Sequence, residues 1–292
     1  MSEPIAFWNG AIVPYTDAVV SVHDFGFTMG ATVSDFCRTF QHQLYRWEDH
    51  LERFRRSCEA VYITLPLTDK EISERALQVV EHNAALRGSN EELVLILVAT
   101  PGVPPDVIGP VTFVMHTLLV PYARYGGFFQ QGVSLATPPT TQVPPSCISP
   151  QIKHRSRLHY FIANEQARRL EPGALALLVD GEGNITETSI ANFLLVRDGT
   201  VISPPASTIL DGISLAVVRE LCAELGIPFT ERTLKISDCR EEDEAMLTGT
   251  AFCLAGVRRI NGLPLRWPGP VFEKLLAAWS ARVGVDIRAQ FA

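Results

Sequence analysis

The sequence is 292 residues long, 47% hydrophobic, 20% charged and 9% aromatic, with a net charge of −7. That length favours two domains over one core, and the acidic balance leaves no footprint for nucleic acid or an anionic membrane. No apolar run approaches the ~18 residues of a membrane-crossing helix. The opening MSEPIAFWNG lacks the basic-then-apolar pattern of a secretory signal. The six cysteines show no CxxC pair and no metal-ligand spacing with histidine. A cytoplasmic protein with reduced, mostly buried thiols and no metal is expected.

Residues 5–13 read as a hairpin, with Asn9-Gly10 at the two positive-φ turn positions. Residues 33–46, VSDFCRTFQHQLYR, read as a second hairpin turning at 41–43. Strand alternation puts Ser34, Phe36, Arg38 and Phe40 on one face and Val33, Asp35, Cys37 and Thr39 on the other. An arginine on a buried aromatic face needs an anionic partner. A substrate carboxylate and a neighbouring acidic side chain are equal candidates. A helix over about 48–61 carries the apolar stripe Leu51, Phe54, Cys58 and Val61, and Arg53 lies off that stripe. Thr68-Asp69-Lys70-Glu71 is a capping box opening the next helix, to about residue 86. Strand patterns follow at 93–99 and 111–120.

Residues 121–131, PYARYGGFFQQ, have no consistent period and read as an interdomain connection. Tyr122 and Arg124 on it are candidates for a cleft site, the plainer reading being ordinary loop residues. A proline-rich run, 138–150, delivers the chain to QIKHRSRLHY. Lys153 in that stretch is one of four lysines, and the other three look like solvated surface positions. It is either a surface residue or an amine aimed into a site. Leu158, Phe161, Ile162 and Ala167 then space out as a helix, and 174–180 reads as a buried strand. Asp180, Glu182 and Asn184 alternate like the start of a calcium loop, but the later ligands are missing and a plain turn is expected. In Leu210-Asp211-Gly212-Ile213-Ser214 a glycine and a hydroxyl open a helix that runs to Gly226. Such a start binds anions; a simple Ser or Asp cap is the alternative. The turn after Met246, with Thr248, Gly249, Thr250 and Ala251, can likewise present N–H and O–H groups to an oxyanion. The last helix, about 271–282, reads as packing.

The order of these features resembles the class IV pyridoxal-phosphate aminotransferases. That family includes branched-chain aminotransferases, D-amino-acid transaminases, R-selective amine transaminases and aminodeoxychorismate lyases. The resemblance covers nearly the whole chain and is strongest over 153–262. There a lysine opens a helix ending in QARR, followed by LLVDGEGNITETSIANFLLVRDGTVISPP, ILDGIS, LTGTA and GVRRINGLPL. It implies an α+β, fold-type IV architecture in two domains. These are a smaller N-terminal α/β domain (1–120), a linker (121–131) and a larger cofactor-binding C-terminal domain with a β-barrel-like core (132–292). It implies pyridoxal 5'-phosphate (PLP) as cofactor, with Lys153 as Schiff-base lysine and proton carrier. By the same resemblance Glu187 pairs with the pyridine nitrogen, and Arg53, Ile213, Ser214 and Thr250 hold the phosphate. The implied reaction moves an amino group from a D-amino acid, a branched-chain-like amino acid or a primary amine to a 2-keto acid, in a homodimer.

Three departures bear on substrate. Leu158 stands where branched-chain enzymes carry a tyrosine five residues after the lysine. The segment TPGVPPDVIGP lacks the Arg-x-His pair of the bacillar D-amino-acid enzymes, and Ser34 replaces a common Tyr or Phe. Ser34, Phe36, Tyr122, Arg124 and Ala251 are the substrate-side candidates. Arg38, two pleats from Ser34, is the leading carboxylate anchor, ahead of Arg124 and Arg155. An aminodeoxychorismate-type lyase is the alternative enzyme, since KHRSRL resembles its stretch equally. A non-catalytic cofactor-binding relative is opposed by the joint retention of Lys153, Glu187 and Arg53.

Overall fold

The computed structural model describes residues 3–104 and 110–292. Residues 105–109, inside TPGVPPDVIGP, lie outside the described residues, and with them much of the segment expected to lack the Arg-x-His pair. The chain divides into two compact units. One is Met1–Val120 with Ile152–Ser156, and the other is Pro121–Gln151 with Arg157–Ala292.

The first unit contains β1 (Ile5–Trp8), β2 (Ala11–Pro14), α1 (Phe25–Thr28), β3 (Val33–Phe40), β4 (Gln43–Leu44), α2 (Trp47–Ala60), α3 (Asp69–Ala84), β5 (Leu93–Thr100) and β6 (Thr112–Leu119). Its strands form one sheet in the order β2-β1-β6-β5-β3-β4, antiparallel throughout. Helices α2 and α3 contribute Leu51, Phe54, Cys58, Ile72, Ala76 and Val79 to a core shared with Phe7, Cys37, Leu95, Leu97 and Met115 of the sheet. The β3–β4 turn has positive φ at both Gln41 and His42. The buried Glu92 carboxylate holds it, accepting from Gln41 N at 2.6 Å, His42 N at 3.1 Å and Thr39 Oγ1 at 2.6 Å. The capping box forms as expected: Thr68 N donates to Glu71 Oε2 at 2.8 Å and Glu71 N to Thr68 Oγ1 at 3.3 Å.

The second unit contains α4 (Tyr122–Gln131), β7 (Val133–Ala136), α5 (Leu158–Leu170), β8 (Leu175–Val179), β9 (Ile185–Thr188), β10 (Asn192–Arg197), β11 (Thr200–Ser203), α6 (Ile213–Glu224), β12 (Phe229–Glu231), β13 (Glu244–Gly249), β14 (Cys253–Ile260), β15 (Leu263–Pro264) and α7 (Pro270–Val283). Strands β10-β13-β14-β7-β8-β9 follow one another side by side, and β9 pairs back onto β10, closing a six-stranded barrel. Strands β11 and β12 continue outward from β10, and β15 pairs with β14.

Two local expectations change. Residues 121–131, expected as a connection, carry helix α4 within the second unit. Its Tyr125 is buried against the rings of Phe128 and Phe252, each with centroids 5.2 Å away, and Phe129 stacks on Phe291 at 4.8 Å. These aromatic contacts outweigh the ~1 kcal/mol that each of Gly126 and Gly127 costs a helix. Helix α5 forms where expected but buries its small face, Ala163 and Ala167, while Leu158, Phe161 and Ile162 are exposed. The stretch 185–195 is two strands, because Thr188 turns the chain: its Oγ1 accepts from Ala191 N at 3.0 Å and its N–H donates to Ala191 O at 3.0 Å. Asp180 makes the plain turn expected, with Oδ1 accepting from the N–H groups of Glu182 and Asn184.

Candidate active site

In the first unit the site residues gather around the start of β3. The segment carrying Lys153 lies antiparallel beside it, with His154 bridged to Val33. Ser34 N donates to Lys153 O at 3.0 Å, Arg155 N donates to Thr32 O at 2.7 Å, and Lys153 N donates to Ser57 Oγ of α2 at 3.1 Å. The lysine backbone is therefore held from both sides. Its Nζ lies 5.1 Å from the ring centroid of Phe36, and the Arg155 guanidinium lies 4.7 Å from the same ring.

Beneath this segment lies a buried ionic cluster. Arg53, read from the sequence as lying off the apolar stripe, is only 3% exposed. Its Nε and one terminal nitrogen donate to the two carboxylate oxygens of Asp35, both at 2.8 Å. His50, one turn earlier on α2, contacts Asp35 Oδ1 through Nδ1 at 2.7 Å. Burial pushes the Asp35 carboxyl upward, but the Arg53 charge and the His50 bond outweigh it and hold the acid well below the usual carboxylate range. Burial lowers His50, against the opposing pull of Asp35. Neither Asp35 nor His50 was singled out from the sequence. The available signal was an acid on the inward face of β3 and a basic pair three residues apart on α2.

Arg38 is the residue expected as the leading carboxylate anchor. Its guanidinium packs 4.1 Å from the ring centroid of Phe40, its Nε donates to Thr39 O, and the residue is 2% exposed. It is directed to the far end of β3 from Ser34, about 13 Å along the strand at the usual rise. Of the arginines considered, Arg155 is the one that shares Phe36 with Lys153.

In the second unit the barrel register lines up three residues. Asn192 on β10 is paired with Glu187 on β9 and, on its other side, with Thr248 on β13. The Glu187 carboxylate is buried and accepts three hydrogen bonds. Tyr160 Oη donates to Oε1 at 2.9 Å, while Asn192 Nδ2 and Leu210 N donate to Oε2 at 3.1 and 3.2 Å. Asn192 Nδ2 also donates to Leu210 O at 2.9 Å. Two residues after Leu210, Gly212 is the N-cap of α6 and brings no side chain to the first turn, where Ile213 and the buried Ser214 stand. A Cβ on Gly212 would overlap Asn192 Oδ1, so only glycine fits. Thr250 and Ala251 lie in the β13–β14 turn, beyond the Gly249–Cys253 pair. Tyr122 and Arg124 are on α4, Tyr122 against Phe291 at 5.2 Å and Arg124 over Tyr125 at 5.4 Å. Tyr160, Asn192 and Gln142 are polar site residues that sequence reasoning passed over.

Comparison with known proteins shows the family. The family model described as amino-transferase class IV matches residues 32–260. A Methanocaldococcus jannaschii protein, provisionally named a branched-chain-amino-acid aminotransferase, is 29% identical over 258 residues, 88% of each chain. The D-alanine aminotransferase of Staphylococcus aureus is 26% identical over 279 residues, covering 92% of this chain and 94% of that one. The crystal structure of a branched-chain aminotransferase from Thermoproteus uzoniensis with norvaline superposes with a TM-score of 0.85 at 26% identity, covering 96% and 94% of the two chains. The chain belongs to the class IV aminotransferases. It is a PLP-dependent aminotransferase of the α+β, fold-type IV architecture.

The residues present fit that cofactor. An uncapped helix start beside a buried hydroxyl suits a phosphate dianion. A buried carboxylate that accepts from three donors suits a protonated ring nitrogen. Between them the Asn192 amide fixes the acid to the backbone that leads into α6.

Proposed function

We propose that Lys153 holds the cofactor covalently and carries the proton between substrate and cofactor, with Glu187 at the ring nitrogen. Arg53 and the first turn of α6, through Ile213 and Ser214, hold the phosphate together with Thr250. Bound there, PLP supplies an aldehyde for the amine and a protonated ring that draws electrons from the substrate carbon. Glu187 keeps the proton on that nitrogen, and its three donors keep the carboxylate charged. Lys153, its backbone pinned by Ser34 and Ser57, delivers its amine from a fixed backbone, which suits a general base and acid. The observation that carries the reading is the triple anchoring of the Glu187 carboxylate to Tyr160, Asn192 and the backbone entering α6.

The donor is an α-amino acid and the acceptor a 2-keto acid. Phe36 lies by the lysine amine and Ser34 holds the lysine carbonyl, Ala251 follows Thr250 in the phosphate-side turn, and Tyr122 and Arg124 on α4 stay substrate-side candidates. Arg155 takes the carboxylate, in place of Arg38, because it shares the Phe36 ring with Lys153. The relatives' D-alanine and branched-chain names set the first donors to try. Exposed Leu158, Phe161 and Ile162 on α5 support a homodimer that covers them. A cytoplasmic location is part of the same proposal. Among the described residues no helix is long and apolar enough to cross a membrane.

The test is borohydride reduction of the PLP-loaded protein followed by peptide mass mapping. The phosphopyridoxyl adduct is expected on Lys153, and an adduct on another lysine would overturn the assignment. Conversion of the bound cofactor to its amine form is then followed with D-alanine, L-valine, L-leucine and an R-amine.

A further inference from the structure

The α5 tyrosine of this chain is at 160, not 158. Two residues on a helix point about 200° apart, so the substitution does more than shift a side chain. Leu158 is 70% exposed, whereas Tyr160 is turned into the barrel side, where its hydroxyl meets Glu187.

The direction of that hydrogen bond is fixed by a chain that starts at the backbone. Val143 N donates to Gln142 Oε1 at 3.0 Å. A backbone N–H can only donate, so the oxygen of the Gln142 amide faces it and the nitrogen faces the other way. Gln142 Nε2 accordingly donates to Tyr160 Oη at 2.8 Å. His159 Nε2, 3.0 Å from the same Gln142 oxygen, must carry its hydrogen there. With its oxygen already accepting from Gln142, the tyrosine O–H points at Glu187 Oε1, 2.9 Å away. Tyr160 is also clamped through its ring, by His159 with centroids 4.0 Å apart and by Arg157 at 4.8 Å. Burial, then the Glu187 charge, push its hydroxyl well above the ordinary tyrosine range, so it stays a donor.

Building on the assignment of Glu187 to the ring nitrogen, we propose that Tyr160 is a positioning residue. Through the Val143–Gln142–Tyr160 chain it aims and holds charged the carboxylate that grips the cofactor's ring nitrogen. The proline-rich run 138–150 thereby has a function beyond connection. Gln142 N donates to Val179 O at 2.8 Å, which ties the run to the end of β8 and sets the Gln142 amide in place.

The test measures apoprotein affinity for PLP and for 1-deazapyridoxal phosphate, in which the ring nitrogen is replaced by C–H. The ratio of the two dissociation constants isolates the grip on the nitrogen, since a general loss of structure weakens both ligands alike. In the wild type PLP binds more tightly. Tyr160→Phe and Gln142→Leu are each expected to shrink the ratio three- to tenfold, and Glu187→Gln to abolish it. A ratio unchanged or larger in Tyr160→Phe, with Glu187→Gln abolishing it, overturns the proposal. A ratio that survives Glu187→Gln overturns the Glu187 assignment itself. If Tyr160→Phe does not fold, Gln142→Leu decides the matter, because it leaves the tyrosine in place and removes the bond that directs its hydroxyl, along with the Val143 and His159 bonds to the same amide.

Discussion

Asn192 stands directly across from Glu187 on the neighbouring barrel strand, and its amide nitrogen bridges the Glu187 carboxylate and the Leu210 carbonyl. The spacing between the acid and the start of α6 is thus set by one side chain. Asn192→Leu keeps the volume and removes both bonds. It is expected to cost about 1–3 kcal/mol, the usual range for stranding a buried polar group, and to weaken PLP binding. Asn192→Asp should be worse, because it places two carboxylates opposite each other. Calorimetric unfolding of the apoprotein and PLP titration read the two effects separately.

Gly212→Ala tests the same junction from the other side. The new Cβ would overlap Asn192 Oδ1 although the backbone angles at Gly212 are ordinary. The expected result is a lower Tm and at least tenfold weaker PLP binding. Ala at Gly199, where an added Cβ meets nothing within 4 Å but φ is +74°, should lower Tm and leave PLP affinity alone.

The arginines separate by substrate. Arg155→Ala is expected to raise KM for amino acids at least tenfold with a small change for a simple R-amine. Arg38→Ala should mainly lower Tm, since its guanidinium packs on Phe40. Steady-state kinetics with both donor types check this. Equal effects of Arg155→Ala on the two would remove it as the carboxylate anchor.

Acid stability should depend on the Asp35–His50–Arg53 cluster, and both titrating groups act in the same direction. His50 is lowered from its ordinary 6.5, so the unfolded chain takes up this proton first and stability declines as pH falls below about 6.5. Asp35 is lowered from 3.8, so its contribution is present above that value and is lost as pH falls further. Tm measured from pH 8 to 3 should therefore fall in two stages, and His50→Gln should remove the first. Asp35→Asn leaves Arg53 buried without its anion and should cost about 3–5 kcal/mol at neutral pH.

The residues proposed for the covalent and charged roles stood out in the sequence more clearly than the residues that hold them. Lys153 and Glu187 could be read because several local motifs occur in a fixed order around them. Barrel closure and the α6 start were likewise implied by that order. The supporting residues act through long-range pairs that no window displays: Asp35 with Arg53 across 18 positions, Gln142 with Tyr160 across 18, Tyr160 with Glu187 across 27. Gln142 was hidden in a run whose prolines erase any periodicity. Helix α4 was missed because Gly126-Gly127 reads as a breaker, while the rings that stabilise it come from Phe252 and Phe291. For Arg38, strand alternation gives the face of the side chain but not the direction it takes along that face.

Residues 152–156 belong to the first unit while the residues on either side belong to the second. The chain therefore passes between units three times: after Val120, after Gln151 and after Ser156. Cutting it once, at the obvious place, would not yield two self-sufficient halves. A fragment ending at Val120 would lack the segment that accepts from Ser34 N and donates to Thr32 O, and with it Lys153, the lysine proposed to hold the cofactor. For anyone splitting this enzyme into complementing pieces, or grafting one unit onto a relative, the five-residue stretch around Lys153 has to be counted with the N-terminal piece.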